Sequence, residues 1–175
     1  MAKVITLSRQ FPSTHPKRGK PTFFVEQFLS SKEVAEDERL KLLLPNEWAN
    51  YKDTSLYLGR FKKHHTIRIG RRWKTGEMAS IRVWSGKPYN SKQILLREVE
   101  ITVYNVEIEF FGGRMYILLA DEKQNPLTGQ EMLSVGEVAK NDGLNPIDLW
   151  HWFNPKLEDK KFEAQILCWN NKIKY

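Results

Sequence analysis

Residues 60–92 hold ten basic side chains, Arg60, Lys62, Lys63, Arg68, Arg71, Arg72, Lys74, Arg82, Lys87 and Lys92, and one acid, Glu77. That window carries +9 while all 175 residues together carry +7, which leaves −2 for the rest of the chain. Like charges at this density favour an anion that offsets them, and nucleic acid is a common source of one. Trp73, Trp84 and Tyr89 lie among the cations, and their flat rings could stack on bases. The chemistry suited to this pattern is capture of phosphates. A solvated face balanced by acids from elsewhere in the fold would account for the same charges without a ligand.

Residues for bond-making chemistry are sparser. No Walker loop, dinucleotide glycine fingerprint, HExxH helix or nucleophile elbow is present. The four histidines, His15, His64, His65 and His151, are scattered. His64 and His65 are neighbours and would face opposite sides of a strand, so no metal site is expected. Cys168 is the single cysteine, which excludes an internal disulfide and any multi-cysteine zinc or iron–sulfur site. It reads as a small buried apolar side chain. Trp150, Trp152 and Phe153 read as core, and no cofactor is implied.

These residues must be positioned by one domain of ordinary composition, 41% hydrophobic and 28% charged. No apolar run approaches the roughly 20 residues that cross a bilayer. The N-terminus shows no secretory h-region or cleavage site, so a cytoplasmic location is expected. Residues 4–7 form a strand candidate, and a loop with Pro12, Pro16, Gly19 and Pro21 follows. Thr22 is placed to cap a helix through 23–29. Ser30-Ser31-Lys32-Glu33 is a capping box for a second helix to about Leu44, which Pro45 would end. Residues 45–60 read as loop.

From there the pattern is β. Residues 66–69 and 79–84 alternate, with a turn ending at Gly76 between them. Residues 94–111 are β-rich, with Val99, Ile101 and Val103 on one phase and Val106, Ile108 and Phe110 on the other. That change of phase predicts a bulge or bend near 104–105. Gly112-Gly113 predicts a hairpin. Ser134 begins a capping box for a helix that Gly143 stops, and Asn145 with Pro146 opens another that runs to Asn154-Pro155. Residues 162–169 alternate as a closing strand. Strands with flanking helices in one domain make an α+β design, most simply a small mixed barrel.

Lys63-His64-His65-Thr66-Ile67-Arg68, then Trp73-Lys74-Thr75-Gly76-Glu77 and the strand to Trp84, resemble the ASCH domain family of the PUA-like superfamily. The similarity is greatest to its branch of small amidohydrolases acting on acetylated cytidine. It is best over residues 60–84, and 138–149 resemble the short helix pair that closes the family's cleft. About two thirds of the chain is covered, with 30–58 as a helical insertion in a single domain spanning 1–175. Residues 11–24 resemble a phage and bacterial variant of the family. The resemblance implies a PUA-like small mixed β-barrel of five to six strands with flanking helices, and a basic cleft for RNA or a modified nucleoside.

Residue by residue, the resemblance puts the branch's lysine base on Lys63, its threonine nucleophile on Thr66 and its carboxylate proton donor on Asp142. Asp142 is one methylene shorter than the family's glutamate. A lysine base needs its pKa well below about 10.4, and residues three apart on a strand face opposite sides, so Lys63 must precede the strand.

Two functions from different classes are expected. One is an RNA- or nucleotide-binding module lined by Lys63, Thr66, Arg68, Arg72, Trp73, Lys74 and Asp142, with Arg82, Lys87, Tyr89 and Lys92 extending the basic surface. The other is a small hydrolase, acting on an acylated nucleoside or as a ribonuclease, that uses Lys63, Thr66 and Asp142. An adaptor whose basic face meets an acidic protein is a third possibility. Asp142 is expected at the mouth of a pocket near the start of the Thr66 strand.

Overall fold

A computed structural model describes residues 2–30, 37–52, 62–120, 132–154, 156 and 158–175. Alternating apolar side chains form eight strands among these residues: β1 (Lys3–Thr6), β2 (His65–Ile69), β3 (Met78–Trp84), β4 (Gln93–Glu100), β5 (Thr102–Phe111), β6 (Arg114–Leu119), β7 (Met132–Leu133) and β8 (Lys160–Cys168). The helices are α1 (Phe24–Leu29), α2 (Glu38–Leu43), α3 (Pro45–Lys52), α4 (Val135–Asn141) and α5 (Pro146–Phe153). The architecture is α+β. No helix among the described residues is long and apolar enough to cross a membrane.

The strands form two sheets, ordered β1-β3-β4 and β2-β8-β5-β6-β7. β1 runs parallel to β3, pairing Lys3 with Ala79, and the remaining ladders are antiparallel. β4 passes into β5 at Ile101, which is 1% exposed. The Ile101 N–H donates to the Glu77 carbonyl at 3.1 Å, and its own carbonyl accepts from the Gly76 N–H at 2.9 Å. One continuous stretch of chain therefore serves both sheets. The bend expected near 104–105 lies here instead, because β5 pairs with β8 without a break from Thr102 to Phe110. Residues 102–105 are half-buried, so the apolar phase becomes legible only from Val106.

β1 and β2 are outer strands, and no ladder joins them among the described residues. Side chains span the seam. Arg68 on β2 donates through Nη2 to the Thr6 carbonyl at 3.1 Å, and Lys3 on β1 donates to the Arg72 carbonyl and to Glu77. The described residues thus form eight strands in two sheets rather than the five to six expected, and no closed barrel is formed among them. A contiguous apolar core, with Ile5, Ile81, Ile108, Ile117 and Ile166, joins both sheets to the helices.

Helix boundaries follow local chemistry. Ser134 Oγ accepts from the Glu137 N–H, and Asn145 Oδ1 accepts from the Asp148 N–H with Pro146 at the first turn of α5. At α1 the cap position is Phe23, in left-handed backbone with φ 59°, and Thr22 only assists, its Oγ1 accepting from the Phe24 N–H. Pro45 follows the end of α2 and also opens α3, where a missing N–H costs nothing, so part of the expected loop over 45–60 is helix. Residues 31–33 of the expected capping box lie outside the described residues, as do 34–36 and 53–58 of the 30–58 insertion, while α2 and α3 occupy most of the rest, with the Asp37 side chain capping α2. Gly112 and Gly113 turn between β5 and β6 with φ 57° and 73°, as a two-residue hairpin requires.

Candidate functional site

Lys63 lies in the loop just before β2 and is held there by three backbone contacts. The His64 N–H donates to the Asn141 carbonyl at 2.8 Å, and the Trp169 N–H donates to the His64 carbonyl at 3.1 Å. The Trp169 indole N–H donates to the Lys63 carbonyl at 3.1 Å. The end of α4 and the end of β8 thus fix this loop from both sides. Asp142 caps the C-terminus of α4, where Gly143, with φ 78°, turns the chain sharply.

The two side chains meet. Lys63 Nζ donates to Asp142 Oδ1 at 2.8 Å and to its carbonyl at 2.6 Å. The ammonium also lies 3.7 Å from the centroid of the Phe24 ring, a cation–π contact. Lys63 is only 1% exposed and Asp142 6%. Burial pulls the Lys63 ammonium below the ordinary lysine range, and the facing carboxylate offsets only part of this. Burial likewise pushes the Asp142 carboxyl up against the pull of Lys63 and Arg68. Both shifts run toward an uncharged pair.

Thr66 is largely buried on β2, opposite Leu167, and shares its strand face with Arg68. No hydrogen bond joins its hydroxyl to Lys63 or Asp142. His65, fully buried on the other face, lies 4.0 Å from Asp142 Oδ1 through Nε2, an atom with no hydrogen-bond partner. Its Nδ1 is 2.9 Å from the Tyr175 hydroxyl, which accepts from Asn141 Nδ2. Burial and the neighbouring Lys63 charge hold the His65 pKa well below the usual imidazole value. Sequence reasoning passed over His65, Phe24 and Tyr175, since only the fold brings them to this point.

The open basic groove is elsewhere, along the seam between β1 and β2. A hollow of about 830 Å³ is walled by the 6–11 loop, Arg68 and the β3–β4 hairpin with Trp84, Lys87 and Tyr89. A second, of about 350 Å³, adjoins it through Thr6, Arg68 and Tyr89 and includes Arg72 and Trp73. Arg68, Arg72 and Lys87 form no salt bridge among the described residues, whereas Arg71 is paired with Glu163 at 3.3 Å. Lys74, Arg82 and Lys92 line neither hollow, and Arg60 lies outside the described residues. Lys63 and Asp142 line neither hollow either, so the predicted residues divide between a buried pair and an open groove. The 6–11 loop was not anticipated as part of a site.

Compared with known protein families, curated proteins and solved structures, the chain matches none.

Proposed function

We propose that this protein is a cytoplasmic RNA- or nucleotide-binding module of the ASCH/PUA-like kind, with the seam between β1 and β2 as its binding groove. The observation that carries this is the meeting of Arg68, Arg72 and Lys87 around adjoining hollows with no carboxylate paired to any of them. Cations held together without a salt-bridged carboxylate gain from phosphates and release bound counterions when phosphates arrive. The PUA-like reading is supported by strand order: β1-β3-β4 continues through Ile101 into β5, beside which lie β8 and β2, so β1 and β2 meet at one seam, although no ladder joins β4 to β5 or β1 to β2 among the described residues. Lys63, buried and spent on Asp142, is not available to touch a phosphate as first expected.

The test is titration of labelled RNA at several salt concentrations. Affinity should fall steeply with salt, and Lys87→Ala or Arg68→Ala should each reduce the log–log slope by about 0.7, the share of one phosphate contact on a single strand. Affinity independent of salt would refute the proposal.

A second reading, hydrolysis of an acylated nucleoside, is favoured by the contact of Asp142 with Lys63, which lies three residues before Thr66. The Thr66 hydroxyl would attack the acyl carbon as its proton passes to a neutral Lys63 amine, and a protonated Asp142 would supply the proton to the leaving amine. Water would then cleave the acyl-threonine ester, releasing the acid, restoring the Thr66 hydroxyl and returning a proton from Lys63 to Asp142. The directions of both pKa shifts suit those roles. Release of acetate from acetylated cytidine, abolished by Thr66→Val, would establish it.

A further inference from the structure

The tip of the β3–β4 hairpin places an aromatic ring where backbone chemistry discourages one. The Asn90 N–H donates to the Lys87 carbonyl at 3.2 Å, closing a four-residue turn with Pro88 second and Tyr89 third. Tyr89 has φ 64°, in the left-handed region. That third position with positive φ is the place for glycine or asparagine, and a bulky side chain there is strained. No core contact explains the choice, because Tyr89 is 88% exposed. Its ring leans on Trp84, with centroids 5.4 Å apart and planes at 51°. Tyr89 also borders both hollows, as Arg68 does. A strained residue kept at a binding surface points to a role for its side chain.

We infer that Tyr89 is a base-stacking platform and that the groove takes single-stranded nucleic acid. Tyr89 can act so only if the groove binds RNA or nucleotides as proposed above. In a duplex the base faces are covered by one another, so an exposed ring can stack only on an unpaired base. A hollow of about 830 Å³ continuing into one of about 350 Å³ exceeds what a lone nucleotide fills. The cations on both hollows would follow the backbone while Tyr89, backed by Trp84, holds a base. Stacking of this kind tolerates any base, so sequence preference is weak.

The test uses the full chain and fluorescein-labelled ten-nucleotide oligouridylate and oligoadenylate, their deoxy counterparts, and the duplex formed from the two ribo strands. The single strands should bind more tightly than the duplex. Tyr89→Gly and Tyr89→Ala should each weaken single-strand binding by about ten- to a hundred-fold, the loss of one stacked base, while Tyr89→Phe stays within about two-fold. Tyr89→Gly should leave the salt slope unchanged, because no charge is lost, and should raise Tm by about 2–4 °C as the turn relaxes. Ribo and deoxy strands bound equally, or the ribo strand preferred, both agree with a stacking platform and show which sugar is taken. If the wild type binds salt-dependently but Tyr89→Gly binds equally well, or the duplex binds as tightly, the stacking inference fails while the RNA-binding function stands. A Tyr89→Gly protein that loses both affinity and stability would show a structural role and overturn the inference. If no oligonucleotide binds the wild type, both fail together.

Discussion

At the scale of single residues, the Lys63–Asp142 pair changes what a mutant can report. Both groups are buried, and their 2.8 Å contact offsets part of the large cost of removing them from water. Removing one side chain leaves the other buried without its counter-charge. Lys63→Met or Asp142→Leu should each cost about 3–5 kcal/mol in denaturant unfolding, while the double variant should recover much of the loss. Additive single losses would show that the pair is not coupled. His65 supplies a pH dependence. Its folded pKa lies below the unfolded value near 6.5, so above that pH both states are neutral and stability is complete. Below about 6.5 the unfolded state gains a proton that the folded state refuses. Stability should therefore fall with decreasing pH by up to about 1.4 kcal/mol per unit, and thermal unfolding of His65→Gln should show a flatter acid limb.

At the scale of elements, one glycine inside α4 and one just past its end have opposite demands. Gly143 has φ 78°, and a Cβ there would fall 1.8 Å from Gln27 Oε1, on a side chain whose Nε2 donates to the Gly143 carbonyl. Gly143→Ala should cost at least about 2 kcal/mol through left-handed strain and loss of that bond. Gly136 lies inside α4, and the nearest side-chain atom to its added Cβ is 3.7 Å away. Gly136→Ala should stabilise by about 0.5–1 kcal/mol, so parallel melts of the two variants should move in opposite directions. The caps of α4 and α5 were legible in the sequence because Ser134 and Asn145 act on backbone three residues away. The Gly112-Gly113 hairpin was legible because glycine accepts positive φ at both central positions without strain. Phe23 as a left-handed cap and Tyr89 as a left-handed turn residue were not legible, because neither residue type signals positive φ. Pro45 was read only as a terminator, although the same ring can end one helix and start the next.

At the scale of the whole molecule, pairing across long sequence separations decided what local pattern could not. The α+β class followed from the order of strand and helix signals, but nothing near Val4 announces that β1 lies parallel to β3 some seventy residues on. The open seam, and with it the groove, follows from that pairing. Lys63 and Asp142 were named from sequence, yet their burial depends on Phe24, α4 and β8 arriving together. In the five-stranded sheet, β8 lies between β2 and β5, nine residues long and paired along both edges. Among the described strands, this interior one comes latest in chain order. During synthesis from the N-terminus, β2 and β5 must therefore emerge with unpaired backbone edges and no strand between them, and the Lys63 loop has no Trp169 to anchor it. Assembly is postponed until β8 is released, which makes the nascent chain dependent on protection from premature association. A chain stopped before Lys160 should show no cooperative thermal transition by circular dichroism, and addition of a separate peptide covering β8 should restore one.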